Sequence, residues 1–454
     1  MNKKMVFMLV SLLVLMSVLA GCGSSNSTAE SNGSKANQST NTSGENKSEA
    51  EPFEVVLRHI HIRDTAKQTL AILQDAVKAT EADVPGLKIS LDGVEDAVNR
   101  DVKLKAEMAA GTQPPIFSLF GGADTENYSK AGRLLPLNDI LTELGIQDSF
   151  FDLREFTVDG KIYGLPESGY IEGFFYNKKL FEQVGASVPA TWDELVDAME
   201  KLKAGGITPI AMGAGSGDGW VINMLANSMF VALGGPELQE GFATGAAKWT
   251  DPAVVEAFKR IEFLVQHQYI DPNVLGLKFP QGQANFYTGK AAMLFDGSWA
   301  VNAITGESST VKDDAGFFRF PDVGGKGDGY INGGWSNGYG FSAAVNEREL
   351  QAVKAFIKNF FSLENQKRTL VETSQIASMK GITDIQGAND LIKTIGEAQG
   401  SAKGAFPAFD SVVQPQVKVA LETNMQQLLG GKVTPEQAAE NMQKVQDEAN
   451  AASN

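Results

Sequence analysis

Glu54-Val55-Val56-Leu57-Arg58-His59-Ile60 carries apolar residues at successive positions, the pattern of a parallel strand covered on both faces. Leu87-Lys88-Ile89-Ser90-Leu91 and Ile116-Phe117-Ser118-Leu119 read the same way, the latter behind a turn at Pro114-Pro115. Helical patterns run between them, from about Asp64 to Ala82 and from Asp96 to Ala110. This βαβαβ rhythm predicts an α/β fold with parallel strands. Farther on, Thr191-Trp192-Asp193-Glu194 is a capping box: the Thr hydroxyl accepts from the N3 amide while the Glu side chain reaches back to the N-cap amide. Asp251-Pro252 places an N-cap before proline at N1 and predicts a helix to about Gln268, and Thr434-Pro435-Glu436-Gln437 repeats the device for the last helix.

Working outward, the chain is 454 residues long, enough for several cores, and its 43% hydrophobic and 21% charged composition is that of a globular protein. Lys+Arg 39 against Asp+Glu 55 leaves a net charge of −16, which argues against nucleic acid as a partner. Lys3 and Lys4 precede an uncharged apolar run from Met5 to Ala20, and the run ends at Leu19-Ala20-Gly21-Cys22. A basic n-region, an h-region and small residues at the cut site define a secretory signal over residues 1–22. Leu-Ala-Gly-Cys resembles the lipobox of bacterial lipoproteins, which implies that Cys22 is lipidated and becomes the mature N-terminus. Cys22 is the only cysteine, so no intramolecular disulfide and no all-thiolate metal site is expected. Residues 23–51 are dominated by Ser, Asn, Thr and Gly, cannot form a core, and read as a disordered tether that holds a folded body off the membrane. The expected location is the extracellular face of a bacterial cell membrane, with a Gram-positive surface favoured by the long tether.

Three stretches of the folded body carry a resemblance. Gly160-Lys161-Ile162-Tyr163-Gly164-Leu165-Pro166, Phe174-Phe175-Tyr176-Asn177-Lys178-Lys179-Leu180-Phe181 and Pro189-Ala190-Thr191-Trp192-Asp193-Glu194-Leu195 follow one another in the order and spacing of the extracellular solute-binding proteins (family 1) of sugar-importing ABC transporters. Asn285-Phe286-Tyr287-Thr288-Gly289-Lys290-Ala291-Ala292-Met293, followed by Gly297-Ser298-Trp299, resembles the second signature of that family. One departure is Pro114-Pro115-Ile116, where the family has Pro-Asp before the third strand. The resemblance implies a two-lobed, periplasmic-binding-protein-like fold of type II, its lobes joined by hinge strands. It places lobe one at 53–166 plus 321–365 and lobe two at 173–318 plus 366–454, with crossings near Pro166 to Gly173 and near Phe318 to Gly324. It also implies a monomer without catalytic role or cofactor, which captures a carbohydrate, foremost an oligosaccharide, and delivers it to a permease driven by a partner ATPase.

A neutral sugar offers hydroxyls and an apolar ring face, so its site needs planar hydrogen-bonding side chains and aromatic platforms. Trp299 and Phe120 stand where the family presents rings to the cleft. Trp220 follows the glycine-rich Gly215-Ser216-Gly217-Asp218-Gly219, where Asp218 either accepts sugar hydroxyls or caps a helix. Trp335 and Asn337 lie together in Gly333-Gly334-Trp335-Ser336-Asn337-Gly338-Tyr339, and Asp296, Glu167 and Tyr170 adjoin the matched motifs. Trp192, inside the capping-box helix, reads as structural.

The most individual feature is Arg58-His59-Ile60-His61-Ile62-Arg63-Asp64, in which residues 59, 61 and 63 share one face near the carboxyl end of the first strand. His59, His61 and Arg63 are therefore candidate ligand contacts, with a solvated surface as the bland alternative. A zinc site would need a further ligand, and the one other histidine, His267, belongs to a distant helix; no metal is expected. A neutral sugar is favoured over a uronate. Two other readings stay open: a secreted carbohydrate hydrolase, for which no Gly-x-Ser-x-Gly, His-Glu-x-x-His or phosphate-loop pattern speaks, and a glycan-binding adhesin without transport.

Overall fold

In the computed structural model of the protein, which describes residues 51–383 and 385–453, the chain is divided between two large sheets and a two-stranded ribbon that pairs Thr157–Val158 with Lys161–Ile162. In chain order the strands of the two large sheets are β1 (Phe53–His59), β2 (Leu87–Gly93), β3 (Ile116–Phe120), β4 (Gly164–Pro166), β5 (Ser168–Asn177), β6 (Thr208–Ala211), β7 (Ala291–Gly297), β8 (Ala315–Phe318), β9 (Tyr330–Gly334), β10 (Asn337–Phe341), β11 (Ile376–Ala377) and β12 (Gly404–Phe406). The first sheet runs β2-β1-β3-β10-β4, with β1 parallel to β2 and β3, and β10 antiparallel to β3 and β4. The second runs β12-β9-β5-β7-β6, with β8 and β11 also on β5. The signal sequence, Cys22 and all of the tether but Glu51 lie outside the described residues.

Both sheets are covered on both faces, which explains why their strands read as continuous apolar runs. Val55, Leu57, Ile116, Leu165 and Tyr339 face a core closed by the helices Lys67–Asp83 and Glu347–Phe360, whereas Phe117 and Leu119 face Leu104, Met108 and Phe156 on the other side. In the second sheet Phe174, Met293 and Phe295 point one way and Ile171, Phe175 and Leu294 the other. The helix Trp220–Gly234 has almost every side chain from Val221 to Ala232 buried, so it runs through the larger core instead of lying on it.

The capping box at Thr191 is formed: Thr191 Oγ1 accepts from Glu194 N at 3.3 Å and Glu194 Oε2 accepts from Thr191 N at 3.2 Å. Thr434 and Gln437 exchange the same pair of bonds at 3.2 and 3.0 Å. Asp251 stands at the expected N-cap position, with Pro252 at N1, but does not cap through its side chain. Its carboxylate turns back to accept from Lys248 N at 3.0 Å, and the helix Pro252–Gln266 starts without a side-chain cap. The expected helix from Asp96 to Ala110 is one continuous stretch widened to a π turn at Asn99–Lys103, an irregularity that often marks a functional site.

The chain first passes between sheets at Pro166 to Ser168. It returns between Gly334 and Asn337, not near Phe318 to Gly324 as expected from the resemblance. The physical reason is the pairing of β9 with β5 (Asn332 opposite Glu172), which keeps residues 330–334 in the second sheet.

Candidate functional site

A cavity of about 260 Å³ lies where the two sheets meet, with walls from both. From the first come His61 and Arg63 after β1, Asp96, Arg100 and Asp101 from the widened helix, Phe120 at the end of β3, and Asn337. The second supplies Tyr170, Glu172, Trp220, Asn223, Phe279, Gln283, Trp299, Asn332, Asp410 and Lys418. Glu167 stands at the first crossing.

One wall is aromatic. The Tyr170 and Trp299 rings are 5.9 Å apart, Trp299 and Trp220 are 6.4 Å apart, and Phe279 packs 4.6 Å from Trp220, giving a strip of four rings from the second sheet and the helices packed on it. Such a strip offers apolar faces to a flat ligand. Tyr170 also fixes the opposite loop, since its hydroxyl accepts from Ala408 N at 2.7 Å.

The facing wall is charged and largely self-satisfied. Arg100 donates to Asp124 at 3.0 Å and, across the cleft, to Asp410 at 2.6 Å, with its guanidinium 3.5 Å above the Phe120 ring. Lys418 reaches back across to Asp101 at 2.9 Å. Burial works against the Asp410 charge, but Arg100 and Lys418 more than offset it and hold the carboxyl below its ordinary value. The lobes also approach through Gly122, whose φ of 73° suits glycine and at which any Cβ would collide with the Ser411 carbonyl.

His61 Nε2 donates to Glu167 Oε1 at 2.8 Å. Burial opposes its charge, yet the Glu167 carboxylate leaves its pKa raised. His59 sits behind it, rings stacked at 5.9 Å, and is pushed down to about 4 by burial and then by His61. His59 is therefore a neutral buried support and is not among the lining residues.

Three other expected contacts are likewise placed elsewhere. Trp335 stacks on Phe151 at 5.9 Å and lies against Gly169 beside the crossing strands. Asp218 accepts from Phe279 N at 3.2 Å and faces the Lys278 ammonium at 3.8 Å, so it ties the glycine-rich loop to the helix Phe279–Tyr287. Asp296 is 0% exposed and accepts from Gln283 Nε2 at 2.7 Å and from Gly297 N at 2.8 Å, beneath the cavity. Trp299, Trp220, Asn337, Phe120, His61, Arg63, Glu167 and Tyr170 do line it. Arg100, Asp410 and Lys418 were missed, because a helix pattern marks 96–110 without showing which residue a π turn projects, and Asp410 is paired from 310 positions away. Among the described residues no group of three or more His, Cys, Asp or Glu is arranged to hold a metal.

Burial pushes the Asp296 carboxyl up to about 7, against its hydrogen bonds from Gln283 and Gly297. The folded protein thus holds this proton more tightly than the unfolded chain does. Its contribution to stability is complete below the unfolded value of 3.8 and is lost as pH rises through about 7. Asp296→Asn should therefore lose less melting temperature than wild type between pH 5 and pH 8, measured by thermal unfolding. Parallel curves for both proteins would assign the pH dependence to another group.

Residues 65–367 match the family of bacterial extracellular solute-binding proteins, and the chain belongs to that family. A multiple sugar-binding protein of Streptococcus mutans is 26% identical over 327 residues, covering 70% of this chain and 74% of the relative. An uncharacterized ABC transporter extracellular-binding protein of Pyrococcus horikoshii is 30% identical over 230 residues, or 49% of this chain and 51% of the relative. Among solved structures, a chitin oligosaccharide binding protein is 66% identical, with a TM-score of 0.87 over 88% of this chain and 99% of that one. The fold is thus the two-lobed α/β fold of solute-binding proteins, each lobe built on one of the two sheets.

Proposed function

We propose that the protein is the receptor of an ABC importer, which captures a short oligosaccharide of the chitin type in the cavity between its lobes and hands it to a permease. The observation that carries this reading is the strip Tyr170, Trp299, Trp220 and Phe279 facing a polar wall of amides and carboxylates. Aromatic faces cover the apolar side of a pyranose, and planar side chains take its hydroxyls. The cavity volume of about 260 Å³ lies just below the range of about 300–1,000 Å³ for ligand pockets, which suits a few rings at most. The likeness to a chitin oligosaccharide binding protein supports the same cargo.

In this reading Cys22 is the lipid anchor, the chain acts as a monomer, and chemistry is left to the ATPase of the importer. His61, Glu167, Arg100 and Asp410 serve the site by holding one another in place. A thermal-shift series with N-acetylglucosamine, its dimer and its trimer tests the proposal. At 100 times its Kd a ligand adds about 2.7 kcal/mol, so the trimer should raise the melting temperature by several degrees while the monosaccharide does so weakly. No shift with any sugar of the series would contradict the assignment.

A further inference from the structure

The charges of the cavity are unevenly spent. Each cation in its wall already has a carboxylate: Arg63 pairs with Glu95 at 2.6 Å, Arg100 with Asp124 and Asp410, and Lys418 with Asp101. His61 is held by Glu167. Two carboxyl groups of the cavity lining, Asp96 on the side of the first sheet and Glu172 on the side of the second, have no ion-pair partner among the described residues. Glu172 is 3% exposed and takes only the Asn332 amide. Asp96 lies in the field of Arg100, Arg63 and Lys418 on one side and of Glu95 on the other, without bonding to any of the three cations. Independently, both ends of the Asn223 carboxamide, 5% exposed in the cavity lining, lack a hydrogen-bond partner, so hydrogen-bonding capacity in this cavity is left for a ligand.

A carboxylate brought into this space would meet Asp96 and Glu172 and would have to displace a protein carboxylate to find a cation. An ammonium would find an acceptor without breaking any pair. Burial raises the pKa of both groups, so the charged form of each gains from a cation brought beside it.

Resting on the proposed function, we infer that the cavity selects its oligosaccharide by charge: it accepts sugars that carry a free amino group as well as neutral ones and refuses uronates, with Asp96 receiving the ammonium. The test is calorimetry with three trimers of one length, N-acetylglucosamine, glucosamine in its protonated form, and galacturonate. The glucosamine trimer should bind within about tenfold of the N-acetylated one, its affinity should fall with added salt more steeply, and the galacturonate trimer should give no binding. In Asp96→Asn the ratio of the glucosamine to the N-acetylglucosamine Kd should rise by about tenfold or more. Binding of the neutral trimer alone, equal salt dependence of the two, binding of the galacturonate trimer, or an unchanged ratio in Asp96→Asn would each overturn the charge selection while leaving the receptor assignment standing. Failure of all three trimers would overturn both. The salt series uses wild-type protein, so the inference stays testable if Asp96→Asn does not fold.

Discussion

Replacing Trp220 and Trp299 together by alanine is expected to weaken oligosaccharide binding by about a hundredfold or more, since each ring lost from a stacking surface carries about tenfold, or 1.4 kcal/mol. Both rings are only partly buried against the core of the second lobe, so the fold should survive with a modestly lower melting temperature. Trp335→Ala is the matching control: its ring stacks on Phe151 away from the cavity, and affinity should stay close to wild type. Calorimetry on the three proteins reads the difference. Equal losses from Trp335→Ala and from the double variant would mean that the aromatic strip acts through general stability and not through contact.

The second large effect is expected at Arg100. Its side chain keeps 13% of its exposure, and its partners Asp124 and Asp410 keep 14% and 20%. Removing one member of a buried pair leaves the other charge uncompensated, at a cost of about 3–5 kcal/mol. Partial exposure moves the expectation to the lower end of that range. Arg100→Ala should therefore lower stability by about 3 kcal/mol in urea unfolding and uncover the Phe120 ring. Adding Asp410→Asn should recover part of the loss, because the orphaned carboxylate goes with it. A double variant that loses the full sum of the two single effects would show that the ion pair across the cleft is not a coupled unit.

Arg100 also shows where sequence reading stops. The βαβαβ rhythm of residues 53–120 was legible because covered parallel strands leave continuous apolar runs, and the caps at Thr191 and Thr434 were legible because their partners lie three residues away. Cleft rings such as Trp220 and Trp299 stood out through the glycine-rich or motif-bound loops that carry them. Long-range pairings were hidden. The bond from Arg100 to Asp410, the register of β9 on β5 that moves the second crossing to 334–337, and the stacking of Trp335 on Phe151 join segments that no local pattern connects. The partners of the Asp218 and Asp251 carboxylates were not legible either, because a carboxylate near a helix start has several amides within reach: Asp251, at its expected N-cap position, takes Lys248 N, and Asp218 takes Phe279 N.

The most direct measurement is a crystal structure of the protein grown with the N-acetylglucosamine trimer. The expected result is sugar rings in the cavity between the sheets, with a ring face against Trp299 or Trp220 and polar groups on the Asp96 side. An empty cavity beside a sugar ordered elsewhere on the surface, at a concentration that saturates binding in solution, would contradict it.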